Sequence, residues 1–188
     1  ELIKICKDVL DEGKAKVIIG YTSGEPEVAC TPLFIRTSED LEKLKWDNTS
    51  TTNLAKYLIE KKKDVAIIAK ACDARAIVMY MAENQINRED VYIIGVECPG
   101  MVDKDGNPSP GCDQCKIHTP PVYDVLVKSD EIAEVEHATA EDKKKQDDMT
   151  DKLERFQNEM QKCILCYTCR QACYGCYCET CFMDRGIP

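Results

Sequence analysis

Three observations predict an α/β domain, built on a small parallel or mixed sheet with flanking helices and followed by a small cysteine-rich module. Residues 64–100 are typical of a strand, a tight turn, a helix, a loop and a strand, which is one βαβ unit with parallel strands. Short apolar runs at residues 16–21 and 122–128 indicate further strands in the same sheet. Seven of the 13 cysteines stand near the end of the chain, between residues 163 and 181.

The elements before the βαβ unit follow from apolar spacing and from capping residues. Residues 1–13 carry apolar side chains at helical spacing and end on a glycine, which commonly stops a helix. Residues 16–21 then indicate a buried strand. Thr37 or Ser38 is placed to cap a helix with acidic residues in its first turn, and residues 52–63 indicate a second helix.

The chain divides by composition into three parts. Residues 1–128 form the α/β domain, and residues 129–148 are so highly charged that they indicate a solvated linker. Residues 149–188 combine an amphipathic helix with the cysteine-rich module, and we expect the sequence to continue beyond Pro188 with a further cysteine motif. One stripe of that helix, which we expect to pack against a neighbour, consists of Met149, Leu153, Phe156 and Met160.

The composition argues against several classes of protein. A formal net charge of −9, from 34 acidic against 25 basic residues, argues against a nucleic-acid-binding protein. The apolar runs are far shorter than the roughly 20 residues that span a bilayer, and no export leader opens the chain. We therefore expect a cytoplasmic protein with no membrane span. The uneven spread of the cysteines favours thiolates that bind metal over a disulfide scaffold.

A first group of four cysteines follows the two strands of the βαβ unit. Cys72 and Cys98 come just after these strands, so their thiols should share the carboxyl edge of the sheet, where open α/β sheets bind ligands. Cys112 and Cys115 form a C-x-x-C pair in the loop that leaves this edge. The helix that begins near Asp73 should lower the thiol pKa of Cys72. Three interpretations stay open: a closed zinc site, a [4Fe-4S] cluster, and a C-x-x-C pair beside two merely buried cysteines.

A second group of cysteines spells C-x-x-C-x-x-C-x-x-x-C, the run with which bacterial two-cluster ferredoxins bind [4Fe-4S] clusters. Cys163, Cys166 and Cys169 would hold one cluster, and Cys173 is of the type that reaches to another. Zinc is disfavoured because zinc sites generally come as two separated C-x-x-C pairs. The sequence therefore predicts a C-terminal ferredoxin-like iron-sulfur module, with Tyr174 where a proline usually follows.

Several roles stay open for the remaining cysteines and for His118. Cys6 and Cys30 are far from both groups in sequence, and we expect them to be structural. His118, close to the C-x-x-C pair, could tune a cluster, replace a ligand or simply be solvated. A further cluster, or a remote ligand to the first one, would be supplied from Cys173, Cys176, Cys178 and Cys181.

Residues 69–101, 111–121 and 162–182 together resemble the β-subunit family of coenzyme F420-reducing hydrogenases and related formate dehydrogenases. They are also similar to iron-sulfur subunits that accompany heterodisulfide-reductase-type complexes. The resemblance implies that the four cysteines of the first group form one cluster site and that the ferredoxin-like run forms a second. It also implies an FAD that exchanges hydride with a deazaflavin or nicotinamide. The family's Gly-Ser-Lys-Tyr type of flavin-side pattern is not visible here, because "KWDNTSTTN" occupies residues 45–53.

The sequence as a whole predicts an iron-sulfur electron-transfer subunit of a multi-subunit anaerobic oxidoreductase, of hydrogenase, formate dehydrogenase or heterodisulfide-reductase type. It would relay electrons between at least two [4Fe-4S] clusters and a flavin or ferredoxin partner, with no catalytic residue of its own. Two alternatives stay open. In one, the chain itself binds FAD and reduces a deazaflavin or nicotinamide coenzyme; in the other, it is a zinc-stabilised interaction module.

Overall fold

The fold is organised around one five-stranded sheet. The computed structural model describes residues 1–24, 30–61, 63–103, 105–109, 111–112, 115–129 and 149–180. Its strands are β1 (Val17–Ser23), β2 (Cys30–Ile35), β3 (Val65–Ala69), β4 (Val91–Val96) and β5 (Val125–Val127). Their order in the sheet is β2-β1-β3-β4-β5. Because β2 runs antiparallel to β1 while the other neighbours are parallel, the sheet is mixed, as the sequence predicts.

Helices flank this sheet and extend beyond it. The α-helices of the described residues are α1 (Leu2–Asp11), α2 (Leu58–Lys61), α3 (Ala71–Ala82), α4 (Met149–Gln161) and α5 (Thr168–Ala172). Short 3-10 helices cover Ser38–Lys43, Ala55–Tyr57 and Arg88–Asp90. Within the described ranges, no helix combines the length and the apolar composition needed to cross a membrane.

The core lies on both faces of β3. All five residues of this strand are buried, as expected for a central strand whose two faces are both covered. Apolar side chains of α1 and α3 and of the segment around Leu54 pack with it in one hydrophobic cluster. Strand β5 forms the edge beside β4, so residues 122–128 do add the predicted edge strand.

Two predicted helices differ in the structure. Thr37 does cap the residues that follow, and its hydroxyl donates to Asp40 Oδ2 at 3.2 Å, but these residues form a 3-10 helix. The helix predicted over residues 52–63 reduces to a 3-10 turn and the four residues of α2. At its start, the Thr52 carbonyl accepts the Lys70 ammonium at 3.0 Å and the Tyr21 hydroxyl at 2.9 Å, so both of its lone pairs are used by groups outside the predicted helix.

The predicted packing stripe of α4 is wrong for the described side chains. Leu153, Phe156 and Met160 are 59%, 62% and 52% exposed, because nothing within the described part of the chain covers them. The side chain of Met149 lies outside the described residues. Of the predicted linker at residues 129–148, only Ser129 belongs to the described residues.

Candidate metal centre

The sheet brings Cys72 and Cys98 to the same edge. In the parallel pairing of β3 with β4, Ala69 lies opposite Gly95, so the two strands end side by side. Cys72 is the second residue of α3, which starts directly after this edge, and Cys98 lies two residues beyond β4. Both thiols are partly buried there. The βαβ unit therefore positions two of the four predicted ligands without help from the loops.

A loop returns over this edge and brings the other two thiols with it. The backbone N–H of Cys98 donates to the carbonyl of His118 at 3.0 Å, which ties the end of the loop to the end of β4. Within the loop, the Cys112 N–H donates to the carbonyl of Ser109 at 2.8 Å, and the Cys115 N–H donates to that of Cys112 at 3.1 Å. These successive turns keep the C-x-x-C pair next to the strand ends.

All four thiols line one cavity of about 430 Å³ at the carboxyl edge of the sheet. Lys70 and Arg75 also line this cavity, whereas none of its described lining residues is an aspartate or glutamate. That lining is notable in a chain whose formal net charge is −9. Cations beside four cysteines would stabilise the negative charge of thiolates that bind a metal, because opposite charges lower each other's energy in a partly buried site.

Cys72, Cys98, Cys112 and Cys115 line this cavity, but among the described residues no group of three or more His, Cys, Asp or Glu side chains is close enough to hold a single metal ion. A closed zinc site uses four such ligands, whereas a [4Fe-4S] cluster takes four cysteine thiolates.

The thiol pKa values run opposite to the sequence-based expectation. Burial, followed by the neighbouring Asp73 carboxylate, raises the pKa of Cys72 to about 12. Burial likewise raises the pKa of Cys98, although the Gly100 N–H and Lys70 act against it. The backbone N–H of Asp73, at the start of α3, does lower the pKa of Cys72 as predicted, but loss of hydration on burial outweighs it. Bound metal would be needed to deprotonate such thiols, as metal coordination generally does.

His118 has a defined environment beside this cavity. Its ring nitrogen Nδ1 lies 2.7 Å from the carbonyl oxygen of Cys98, and since a carbonyl can only accept, Nδ1 carries the proton. The other ring nitrogen, Nε2, is buried and has no hydrogen-bond partner among the described residues. Of the roles left open for His118, simple solvation is therefore wrong.

The second group of cysteines is local and exposed. The thiol-bearing residues Cys163, Cys166, Cys169, Cys173, Cys176 and Cys178 are all exposed, and Cys181 lies outside the described residues. Between the first three cysteines the backbone turns sharply, because Leu165 and Tyr167 adopt left-handed conformations with φ of 56° and 60°. Such conformations are uncommon for residues other than glycine, and they recur in turns whose N–H groups form concave anion-binding sites.

Helix α3 holds this second group against the α/β domain. The Tyr80 hydroxyl donates to the Tyr174 carbonyl at 2.6 Å, and the Tyr80 and Tyr177 rings meet edge to face at 5.7 Å. The Tyr177 hydroxyl also donates to the Glu83 carboxylate. Cys72 precedes Tyr80 by eight residues on the same helix, which corresponds to roughly 12 Å along the axis. Helix α3 thus has the first group of cysteines at its start and the second group near its end.

Other cysteines are placed as the sequence suggests. Cys6 and Cys30 are buried in the hydrophobic core, and the Cys30 thiol donates to the Thr49 carbonyl at 3.1 Å. Burial raises the pKa of Cys6 to about 12, so this thiol is inert at neutral pH. In the described part of the chain, no cysteine forms a disulfide.

Sequence reasoning missed Lys70 and Asp73 as residues of this site. A lysine directly after an all-apolar strand, followed three residues later by an aspartate, has the spacing of a helix capping box. This spacing is the sequence signal from which the pair could have been identified. The contacts of Tyr80 with the C-terminal residues join positions 94 residues apart, and no local pattern could have predicted them.

Comparisons with known proteins give relatives that match about half of the chain. A stretch of 101 residues is 36% identical to the F420-dependent formate dehydrogenase subunit beta of Methanocaldococcus jannaschii, covering 51% of this chain and 26% of that protein. The F420-dependent formate dehydrogenase 1 subunit beta of Methanococcus maripaludis is 33% identical over 100 residues, with the same 51% and 26% coverage. No family model matches the sequence.

Among solved structures, a chain of the F420-reducing [NiFe] hydrogenase complex from Methanosarcina barkeri is 17% identical, with a TM-score of 0.48. The similarity covers 55% of this chain and 39% of that chain. The two curated relatives confirm the predicted resemblance to the β-subunit family. The chain spans about a quarter of the length of those relatives.

Proposed function

We propose that this chain is an iron-sulfur electron-transfer subunit of a multi-subunit anaerobic oxidoreductase. Its first cluster would be held by Cys72, Cys98, Cys112 and Cys115. The observation that carries this proposal is the single cavity that these four thiols line at the carboxyl edge of the sheet. Four cysteines form the usual ligand set of a [4Fe-4S] cluster.

A second cluster would be bound by Cys163, Cys166 and Cys169, with further ligands from the cysteines that follow. The left-handed turns at Leu165 and Tyr167 support this assignment, because they curl the chain between these three cysteines. Such concave backbone turns are found at iron-sulfur sites. The remaining candidates for this or a further cluster are Cys173, Cys176, Cys178 and Cys181.

The position of both groups of cysteines on the same helix, α3, supports electron transfer between the two clusters. When bound, [4Fe-4S] clusters accept and release single electrons at potentials set by their surroundings. The chain's own part is to hold the two sites at opposite ends of α3, to bury the thiols of the first site and to surround them with cations. None of these tasks requires a residue that transfers a proton.

The names of the relatives suggest the setting of this relay. Both curated relatives are β subunits of F420-dependent formate dehydrogenases. By analogy, this chain would assemble in the cytoplasm with other subunits of a hydrogenase, formate dehydrogenase or heterodisulfide-reductase type of complex. It would pass electrons to or from a flavin or a ferredoxin-like partner. Whether FAD binds to this chain itself is an outcome of the test below.

The test is anaerobic purification of the protein followed by analysis of iron, sulfide, zinc and flavin. We expect about eight iron and eight sulfide per chain if two [4Fe-4S] clusters are bound. Chemical reduction should then produce electron paramagnetic resonance signals from two clusters. A protein that contains zinc but no iron would contradict the proposal, and stoichiometric flavin would favour the alternative in which the chain itself reduces a deazaflavin or nicotinamide.

A further inference from the structure

Lys70 is a buried lysine at the wall of the four-cysteine cavity. It follows the last residue of β3 and caps α3, and only 1% of it is exposed. Lysine is almost never fully buried unless it is paired, because removing its charge from water is costly. Its position at the carboxyl edge of the sheet places this charge beside the candidate cluster ligands.

The ammonium group of Lys70 is fixed by a complete set of acceptors. Its Nζ donates to the carbonyls of Ser50 at 2.9 Å and Thr52 at 3.0 Å, and also to the Tyr21 hydroxyl. The carboxylate of Asp73 forms an ion pair with it at 3.1 Å. An ammonium has three protons to donate, so every one of them can be satisfied in this position.

Asp73, the other member of the ion pair, is also fixed by hydrogen bonds. It is fully buried, and its carboxylate accepts the backbone N–H groups of Leu54 at 2.6 Å and Lys70 at 3.0 Å. Lys70 lines the cavity, whereas Asp73 is not among the described lining residues. Lys70 therefore stands at the cavity wall, and the Asp73 carboxylate lies 3.1 Å from its ammonium group.

Both charges lie next to a candidate ligand. Lys70 stands two residues before Cys72 and lines the same cavity, and Asp73 directly follows Cys72 in α3. A buried pair is screened little by solvent, so its two ends act on a charge in the cavity with opposite signs.

We propose that the Lys70–Asp73 pair sets the reduction potential of the cluster bound by the four cysteines. Lys70 favours the reduced state, and Asp73 opposes it while holding Lys70 in position. This inference rests on the proposed function. Reduction adds one electron from an external donor to the cluster, with no proton transfer. Both residues are positioning residues, since neither needs to touch the cluster.

The experiment is a redox titration of the anaerobically purified protein, followed by electron paramagnetic resonance. Three variants are compared with the wild type: Lys70→Met, Asp73→Asn, and the double variant, which avoids leaving one buried charge unpaired. Lys16→Met serves as the matched control, because it also removes one positive charge from an ion pair but lies 83% exposed and is not a cavity residue. The cluster of the second group provides an internal reference in every sample.

We expect Lys70→Met to reduce the equilibrium constant for reduction of the first cluster at least tenfold, which for one electron is a shift of about 59 mV to lower potential. Asp73→Asn should shift the potential upward, and the double variant should lie between the two. The potential of the second cluster should stay unchanged. A purely structural role for the pair would alter unfolding midpoints without producing opposite shifts in potential.

Several outcomes would overturn the proposal. If the double variant binds its cluster and neither it nor any single variant that folds shifts the potential, the proposal is wrong while the proposed function stands. The same holds if both single variants shift the potential in one direction. If the wild-type protein binds no iron, the proposed function fails and this inference fails with it.

Discussion

The two groups of cysteines are assembled in different ways. The first group draws its four thiols from positions 72 to 115 and relies on strand pairing and a returning loop to bring them to one cavity. The second group has six described cysteines between residues 163 and 178, all exposed and arranged by local turns. The first site should therefore depend on the integrity of the whole domain, whereas the second should depend mainly on its own short sequence.

Removal of single ligands gives the most direct test of this contrast. Cys98→Ala should abolish the resonance signal of the first cluster, with a loss of about four iron per chain. Cys166→Ala should abolish only the signal of the second cluster. Iron analysis and electron paramagnetic resonance measure both effects. Cys6→Ala is the control, because Cys6 is buried away from both groups and should leave both signals intact.

Thiol reactivity in metal-free protein should differ strongly between the groups. Burial and the Asp73 carboxylate raise the pKa of Cys72 to about 12, whereas hydrogen bonds from Thr168 lower the pKa of Cys166 below its ordinary value of 9.0. Since only the thiolate reacts, we expect alkylation of Cys72 at pH 8 to be slower by on the order of 100-fold or more.

The pH dependence of alkylation should also differ between Cys72 and Cys166. Alkylation of Cys72 should accelerate with every unit of pH up to about 12, while that of Cys166 should level off at a lower pH than that of an ordinary cysteine. Mass spectrometry of peptides after timed alkylation measures each rate separately. Equal rates at the two positions would contradict the different burial of the two groups.

Substitution of glycine by alanine should destabilise the protein in the first region and have little effect in the second. A Cβ at Gly95 would lie 2.9 Å from the Cβ of Tyr123 and 3.3 Å from side-chain carbons of Pro120 and Leu126. Gly95→Ala should therefore push the β5 segment away from β4 and cost about 1–3 kcal/mol in the free energy of unfolding, measured by urea denaturation. In the second region, a Cβ at Gly175 would meet only the Cys173 sulfur, at 3.7 Å, so Gly175→Ala should be tolerated.

The contact between the two regions should weaken when the hydroxyl group of Tyr80 is removed. Tyr80→Phe removes the hydrogen bond to the Tyr174 carbonyl and should weaken docking of residues 167–180 by about 1 kcal/mol. Hydrogen exchange of the amides in this stretch measures the loss. The first cluster should keep its signal, because the ring of Tyr80 still fills its place in the core. Tyr123→Phe, at a partly exposed tyrosine before β5, is the control and should leave the exchange unchanged.

The sequence was most informative where structure follows from local pattern. The apolar strands around α3 and the two-strand edge that carries Cys72 and Cys98 could be predicted, because a βαβ unit has one favoured arrangement. The C-x-x-C pair could be assigned to the same edge because the loop begins there. The placement of these thiols around one cavity agrees with that reasoning, although the identity of the bound group stays a prediction.

Other features depend on contacts that no local pattern contains. Residues 52–63 carry a helical pattern, but Lys70 and Tyr21, which are distant in sequence, donate to the Thr52 carbonyl that a helix would use as an acceptor. The pKa of Cys72 was predicted with the wrong sign because burial cannot be measured from sequence, and burial was the larger effect. The apolar face of α4 was expected to pack, yet the described residues offer it no neighbour.

Helix α3 has a consequence for how this chain could vary. Because one rigid helix carries Cys72 in its first turn and Tyr80 near its end, the spacing of the two cysteine groups is determined by that helix. One extra helical turn in α3 should lengthen that spacing by about 5.4 Å, whereas insertions or deletions at residues 129–148 should leave it unchanged.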